Sequence, residues 1–398
     1  KEYEHEPIAS TAFAILHPFA GVINRYIYFY LRSPSFVRFV ESTMKGVAYP
    51  AINDGDFFQG YFPLPPLPEQ HRIVAKIDQL MARCDALEKL RADRDQKRLV
   101  VHAAAIRQLL DPASLPSRPQ HVQPFLFSHF PELYTVKENV AELRKAILQL
   151  AVMGKLVKQD PNDPPASELL KQIEAEKKRL VIEDVYRSNE DKAENIGTPA
   201  FMLPVKWEWT TIQQLGFILG GKRLPKGHSY SETPTKYRYL TVTNMKDGTI
   251  VDNDVKYISQ STYNEIKRYI ISKNDIYITI AGTIGVVGTI PEEYDGMNLT
   301  ENASRFVLFK CDKRFLVFLL SSRMVQDQFA VMTNKMAQPK LSLRSILSTG
   351  IPLPPLAEQH RIVAKIDQLM ALCDAMENQI TCATDKQNAL LEALLKGV

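Results

Sequence analysis

The chain has 398 residues, 45% of them hydrophobic and 24% charged, which suits a soluble protein with room for two or three packed domains. Its 49 Lys and Arg against 45 Asp and Glu leave a formal charge of +4, too little by itself to mark a polyanion binder. The composition also excludes a disulfide scaffold and a membrane protein. The four cysteines (Cys84, Cys311, Cys373, Cys382) form no CxxC, and the longest charge-free run of note, Pro7 to Asn24, contains His17 and Pro18. No segment reads as a signal peptide, so a reducing cytoplasm is expected, with no membrane partner.

Residues 1–62 read as the tail of a globular domain. The chain opens at Lys1 rather than Met, as a fragment would. The aromatic run Asn24–Leu31 (NRYIYFYL) aligns with Lys313–Leu320 (KRFLVFLL) at an offset of 289. We therefore expect 1–62 to be the C-terminal remnant of a domain whose complete form lies at 201–351.

Region 63–200 is helical. It begins with PLPPLPEQHRIVAKIDQLMARCDA, Pro63 to Ala86, which returns as PLPPLAEQHRIVAKIDQLMALCDA, Pro352 to Ala375. Of 24 aligned positions only Pro68/Ala357 and Arg83/Leu372 differ. The prolines make the lead-in extended. Behind it, apolar residues at Ile73, Ile77, Leu80, Cys84 and Leu87 are spaced 4,3,4,3, a coiled-coil seam. The second copy, in region 352–398, gives Ile362, Ile366, Leu369, Cys373 and Met376. A helix over 69–110 would be roughly 60 Å long. Two such rods, 69–110 and 359–396, are expected to bury their stripes against each other.

Between the rods, Asp111–Phe130 carries four prolines and reads as a linker. Glu138–Val157 is predicted helical, with Val140, Leu143, Ile147 and Leu150 on one stripe and Gly154 closing it. Ser167 can cap a charged helix over Glu168–Asp184, and Ser188–Ala200 is a polar linker. Domain 201–351 alternates β-rich runs with turns: Tyr237–Thr243, Asp254–Ile258, Asp275–Ala281, Val286–Ile290 and Ser304–Phe309. Helices are expected at Ser261–Arg268 and Arg314–Met332. The fold class is α+β, with a twisted, largely antiparallel sheet attached to long antiparallel coiled-coil helices. This domain also holds the positive charge. Residues 201–351 carry 19 Lys and Arg against 13 Asp and Glu, so +6, leaving −2 for the remainder.

The repeated PLPPLPEQHRIVAKIDQLMA resembles the conserved helix start of type I restriction–modification specificity subunits. Ala146–Leu180 (AILQLAVMGKLVKQDPNDPPASELLKQIEAEKKRL) resembles that family's other conserved region. The resemblance covers nearly the whole chain. It implies a non-catalytic subunit in which each target-recognition domain reads one half of a split DNA site and the paired helices set the spacing. It further implies docking of two modification (methyltransferase) subunits and of restriction subunits. On that pattern 201–351 is the second target-recognition domain and 1–62 the remnant of the first. No cofactor is expected on this chain; S-adenosylmethionine, ATP and Mg belong to the partners. Self-association of two shortened chains is another way to supply both halves.

The residues themselves offer little catalytic chemistry. Asp254, Glu265 and Lys267 have a nuclease-like D…E-x-K spacing, but Glu265 and Lys267 lie in a helical run where i and i+2 face apart. No phosphate-binding or nucleophile-elbow motif occurs, and the eight histidines form no metal-ligand spacing. DNA contact is better supported. Lys222 and Arg223 follow a Gly-Gly turn, where backbone can approach a phosphate and Arg can bridge guanine. Thr243, Asn244 and Lys246 follow a strand, and Asn can pair with adenine. Arg238, Thr283, Lys335, Gln338 and Lys340 complete the candidate set on strands and loops of the same basic domain. The competing reading, from a different class, is a coiled-coil adaptor that binds protein and not DNA.

Overall fold

The computed structural model describes residues 15–19, 21–45, 50–111, 119–183, 201–333 and 339–396. The chain divides into two compact units, Lys1–Lys97 and Arg98–Val398.

The first unit contains helices α1 (Asn24–Leu31), α2 (Pro34–Thr43), α3 (Asp54–Phe57) and most of α4 (Leu67–Leu110). Local chemistry sets their starts. The Ser33 hydroxyl accepts from Phe36 N–H, with Pro34 at the first helical position, and Asn53 Oδ1 accepts from Asp56 N–H at 2.8 Å. The core is small: Tyr26 and Phe36 are buried, and Phe62 packs edge-on to Tyr26 and Tyr30. On α4, Ile73 and Ile77 are half-buried, while Leu80, Cys84 and Leu87 are exposed.

The second unit opens with the last turns of α4, then α5 (Pro119–Ser128), α6 (Phe130–Leu133), α7 (Lys137–Val152) and α8 (Ala166–Ile182). The segment read as an irregular linker thus contains a helix, with Pro124 inside it. Buried His102 on α4 and Tyr134 share a hydrogen bond of 3.0 Å. Next come β1 (Glu208–Thr211), α9 (Ile212–Leu215), β2 (Gly216–Gly220), β3 (Arg238–Leu240), β4 (Met245–Lys246), β5 (Thr249–Ile250), β6 (Lys256–Tyr257) and α10 (Gln260–Ile266). Then follow β7 (Ile276–Thr279), β8 (Val287–Thr289), β9 (Asn298–Leu299), β10 (Ala303–Leu308), α11 (Lys313–Ser321), α12 (Arg323–Thr333), α13 (Leu343–Leu347), β11 (Gly350–Leu353) and α14 (Leu356–Lys396).

The architecture is α+β, and its main sheet is antiparallel in the order β2-β10-β7-β8. A second sheet, β6-β3-β9, contains a parallel pair, β3 with β9. The helix expected at Arg314–Met332 is two helices, because Ser322 is extended (ψ 151°) and restarts the chain as α12. The Pro-rich lead-in to α14 forms β11, antiparallel to β1, so the domain's first and last strands close on each other. The boundary drawn at Ile351 falls inside that strand.

The α14 stripe is buried, with Ile362, Ile366 and Cys373 inside and Leu369 and Met376 half-buried. Within the second unit this stripe packs against α7, whose Val140, Ile147 and Ala151 share the same core. Arg144 of α7 spans to Asp374 at 2.7 Å and Glu377 at 3.2 Å, while Asp163, beyond the C-terminal end of α7, meets Arg361 at 2.5 Å. Chain order therefore runs oppositely along the two partners.

Candidate nucleic-acid interface

Three strands leave their sheets at one edge of the 201–351 domain. β2 ends at Gly220 opposite Ser304, and β7 ends at Thr279 opposite Ala303. β3 ends at Leu240 alongside Leu299 of β9. Backbone hydrogen bonds then tie all three exits to the turn Thr300–Asn302 or to the residues on either side of it. Gly221 N–H donates to Ala303 O (3.0 Å) and Lys222 N–H to Leu299 O (2.8 Å). Thr300 N–H donates to Leu240 O (3.0 Å), and Ile280 N–H to Asn302 O (2.8 Å). Leu341 N–H reaches Ile280 O at 2.9 Å, so the segment bearing exposed Lys340 joins the same edge.

This edge gathers Lys222, Arg223, Thr243, Thr283 and Lys340, all exposed, from four separate stretches of sequence. Lys246 follows on β4, exposed at the start of the Asp247-Gly248 hairpin turn. Both turn residues have positive φ (51° and 74°), the geometry that keeps a two-residue hairpin in twist with its strands. Gly221 is no flexible hinge. A Cβ there would lie 2.0 Å from Thr300 O, so only glycine lets this backbone reach the turn.

Arg223 is 79% exposed, and its Nε donates to Glu301 Oε1 at 2.7 Å. That contact orients the guanidinium and leaves the terminal Nη pair as its outer edge. Burial works against the Glu301 charge, but hydrogen bonds from Arg223 and Thr300 outweigh it and hold its carboxyl below the usual range. Lys222 Nζ sits 5.7 Å from the Tyr269 ring centre, a cation–π arrangement.

Other sequence candidates fall elsewhere. Asn244 is fully buried. Its Oδ1 accepts from Thr241 N–H (3.0 Å) and Thr241 Oγ1 (2.9 Å), and its Nδ2 donates to Asn253 O (2.6 Å). The amide holds its own loop together and offers no edge to a base. Arg238 lies at the start of β3, two residues before its end, with its guanidinium 5.1 Å from the Tyr294 ring centre. Lys335 and Gln338 lie outside the described residues. The nuclease-like trio is not assembled: Asp254 pairs with Lys256 at 2.6 Å, and Glu265 with His228 at 3.3 Å. Among the described residues no three His, Cys, Asp or Glu side chains group as metal ligands.

Sequence reading missed Glu301 and Asn302, although the polar TEN between two β-rich runs marks a turn. Asn302 is half-buried, and its side-chain amide makes no hydrogen bond with the described residues.

Residues 3–94 and 204–382 each match the model of the type I restriction modification DNA specificity domain. The chain belongs to this family. Similar members include the EcoAI specificity subunit of Escherichia coli, 32% identical over 409 aligned positions covering 97% of this chain and 66% of the relative. The Escherichia coli EcoEI specificity subunit is 28% identical, covering 97% of this chain and 67% of the relative. The chain thus spans about two thirds of the length of these curated relatives. Among solved structures, the HsdS subunit from Thermoanaerobacter tengcongensis aligns at 18% identity and a TM-score of 0.41, over 90% of this chain and 65% of that one. Both relatives are named as specificity subunits of type I restriction enzymes.

Proposed function

We propose that this chain is the DNA-recognition and scaffold subunit of a type I restriction–modification complex. The observation that carries the reading is the convergence of Lys222, Arg223, Thr243, Thr283 and Lys340 on one strand-end edge of a domain whose family is defined by DNA specificity. Lysines there can neutralise phosphates, and the Arg223 fork matches guanine O6 and N7. The Asn302 amide, which makes no hydrogen bond with the described residues, takes the adenine-reading role that Asn244 cannot fill.

In this reading 201–351 reads one half of a split target, and 1–62 belongs to the domain that reads the other. The helical regions dock two modification subunits and the restriction subunits in the cytoplasm. The subunit itself carries no cofactor; S-adenosylmethionine, ATP and Mg reside on the partners. The exposed α4 stripe offers a surface for such a partner or for a second copy.

The test is retention of duplex DNA by the full chain with modification subunits supplied, against random competitor. Arg223→Ala or Asn302→Ala should lower discrimination by about 1–3 kcal/mol at one base position. No sequence preference in the unaltered complex would reject the reading.

A further inference from the structure

The near-identity of the two helix starts exceeds what an apolar stripe demands, since a seam needs only hydrophobicity at its spacing. The repeated polar positions show what else is held. Gln70 and Gln359 are both fully buried. Gln70 Oε1 accepts from Ile23 N–H at 3.0 Å, and Gln359 Oε1 accepts from Asp312 N–H at 2.9 Å. Ile23 and Asp312 are the residues that open α1 and α11. Each Gln also donates Nε2 back to its own lead-in, to Pro65 O (2.9 Å) and Pro354 O (3.0 Å).

Eight residues along each rod stands a second tie. Asp78 receives both Nη atoms of Arg25, at 2.6 and 2.5 Å. Asp367 receives both Nη atoms of Arg314, again at 2.6 and 2.5 Å. Each guanidinium also lies over an aromatic ring four residues on: Arg25 is 5.4 Å from the Phe29 centre and Arg314 is 5.6 Å from that of Phe318. Every one of these pairs is related by the same offset of 289. Most of the surrounding helix has changed. Of eight positions in α1, only Arg25, Phe29 and Leu31 keep the residue found in α11.

One attachment would leave a helix able to swivel. Two attachments about 12 Å apart along the rod fix its direction as well. We propose that Gln359, Asp367, Arg314 and Phe318, and their copies Gln70, Asp78, Arg25 and Phe29, are positioning residues. They set the angle at which the helices of each recognition domain leave the long helix. The consequence for DNA geometry rests on the proposed function, but the angle itself does not.

The test uses equivalent exposed positions in the two units of the full chain. Spin labels go at Arg38 and Lys89 in one sample and at Asp327 and Asn378 in another, with exposed Cys84 and Cys382 replaced by Ser. Pulsed dipolar measurement should give the same narrow distance for both pairs. Asp78→Asn with Gln70→Leu should broaden the first distribution alone, and Asp367→Asn with Gln359→Leu the second alone. Should a Gln variant fail to fold, the half-buried Asp substitution stands by itself, and exchanging the charges of Arg314 and Asp367 should restore the narrow distance. Different distances in the two unaltered pairs, or distributions unchanged by the Asp variants, would overturn the proposal. DNA retention by the unaltered complex is read separately, so failure of one reading does not mask the other.

Discussion

Glu358 and Glu69 occupy the same place in the two helix copies and meet opposite surroundings. Glu69 is exposed, whereas Glu358 is buried. Burial raises the Glu358 carboxyl above the ordinary glutamate range, with Trp207 and Arg361 compensating only in part. Its folded pKa is therefore above its unfolded one. The stabilisation linked to its proton is fully present below the ordinary value of about 4.5 and is lost as pH rises through the raised value. Glu358→Gln stays neutral throughout, so Tm should be nearly unchanged at pH 4.5 and higher than the parent's at pH 7.5; melts at both pH values check this. The same dependence on surroundings explains why Asn244 misled. A strand-end Asn in TNMK can face a base or bond its own loop, and its two capping bonds to Thr241 exist only in the folded turn. The surface exposure of Arg223, Lys222 and Lys340 was legible because a cation in a polar loop has one inexpensive location, the surface.

Elements with a clear period were legible nearly to the residue. The rods, expected over 69–110 and 359–396, are α4 and α14, and the β-rich runs expected at Asp275–Ala281 and Ser304–Phe309 contain most of β7 and β10. Partner choice was not legible. A 4,3 stripe states that a face must be covered but not by what, and α7 carries apolar residues at the same spacing. Strand β11 was hidden in a Pro-rich lead-in, because pairing with β1 is decided about 140 residues away in sequence. The two stripes can be compared through one residue type. Cys373 is buried by α7, and Cys84, its copy, is exposed. Burial also pushes the Cys311 thiol up to about 12. A thiol reagent at pH 8 should modify Cys84 and Cys382 promptly in the native chain, and Cys311 and Cys373 only after denaturation. Adding modification subunits should slow Cys84 if they cover its stripe; equal rates at Cys84 and Cys373 in the chain alone would contradict the assigned packing.

At the scale of the molecule, a net charge of +4 conceals the +6 carried by residues 201–351, and the division matters more than the sum. A polyanion is drawn to the local field, which acts within a Debye length of about 8 Å at physiological salt. The family resemblance and the strand-end cations then make separable demands on one experiment. A side chain that only neutralises a phosphate releases counterions, so its loss should flatten the salt dependence by about 0.9 in log–log slope and weaken all sequences alike. A side chain that reads a base should change the ranking of sequences and leave the slope less affected. We expect Lys246→Ala and Lys340→Ala to behave in the first way. Arg223→Ala should behave in the second, because Glu301 already balances its charge and fixes its direction. Binding isotherms of the assembled complex at several salt concentrations, on duplexes differing at single positions, distinguish the two. If Arg223→Ala lowers the slope as the lysine variants do and leaves sequence ranking intact, Glu301 does not serve to aim it, and base reading must be assigned to the Thr300–Asn302 turn.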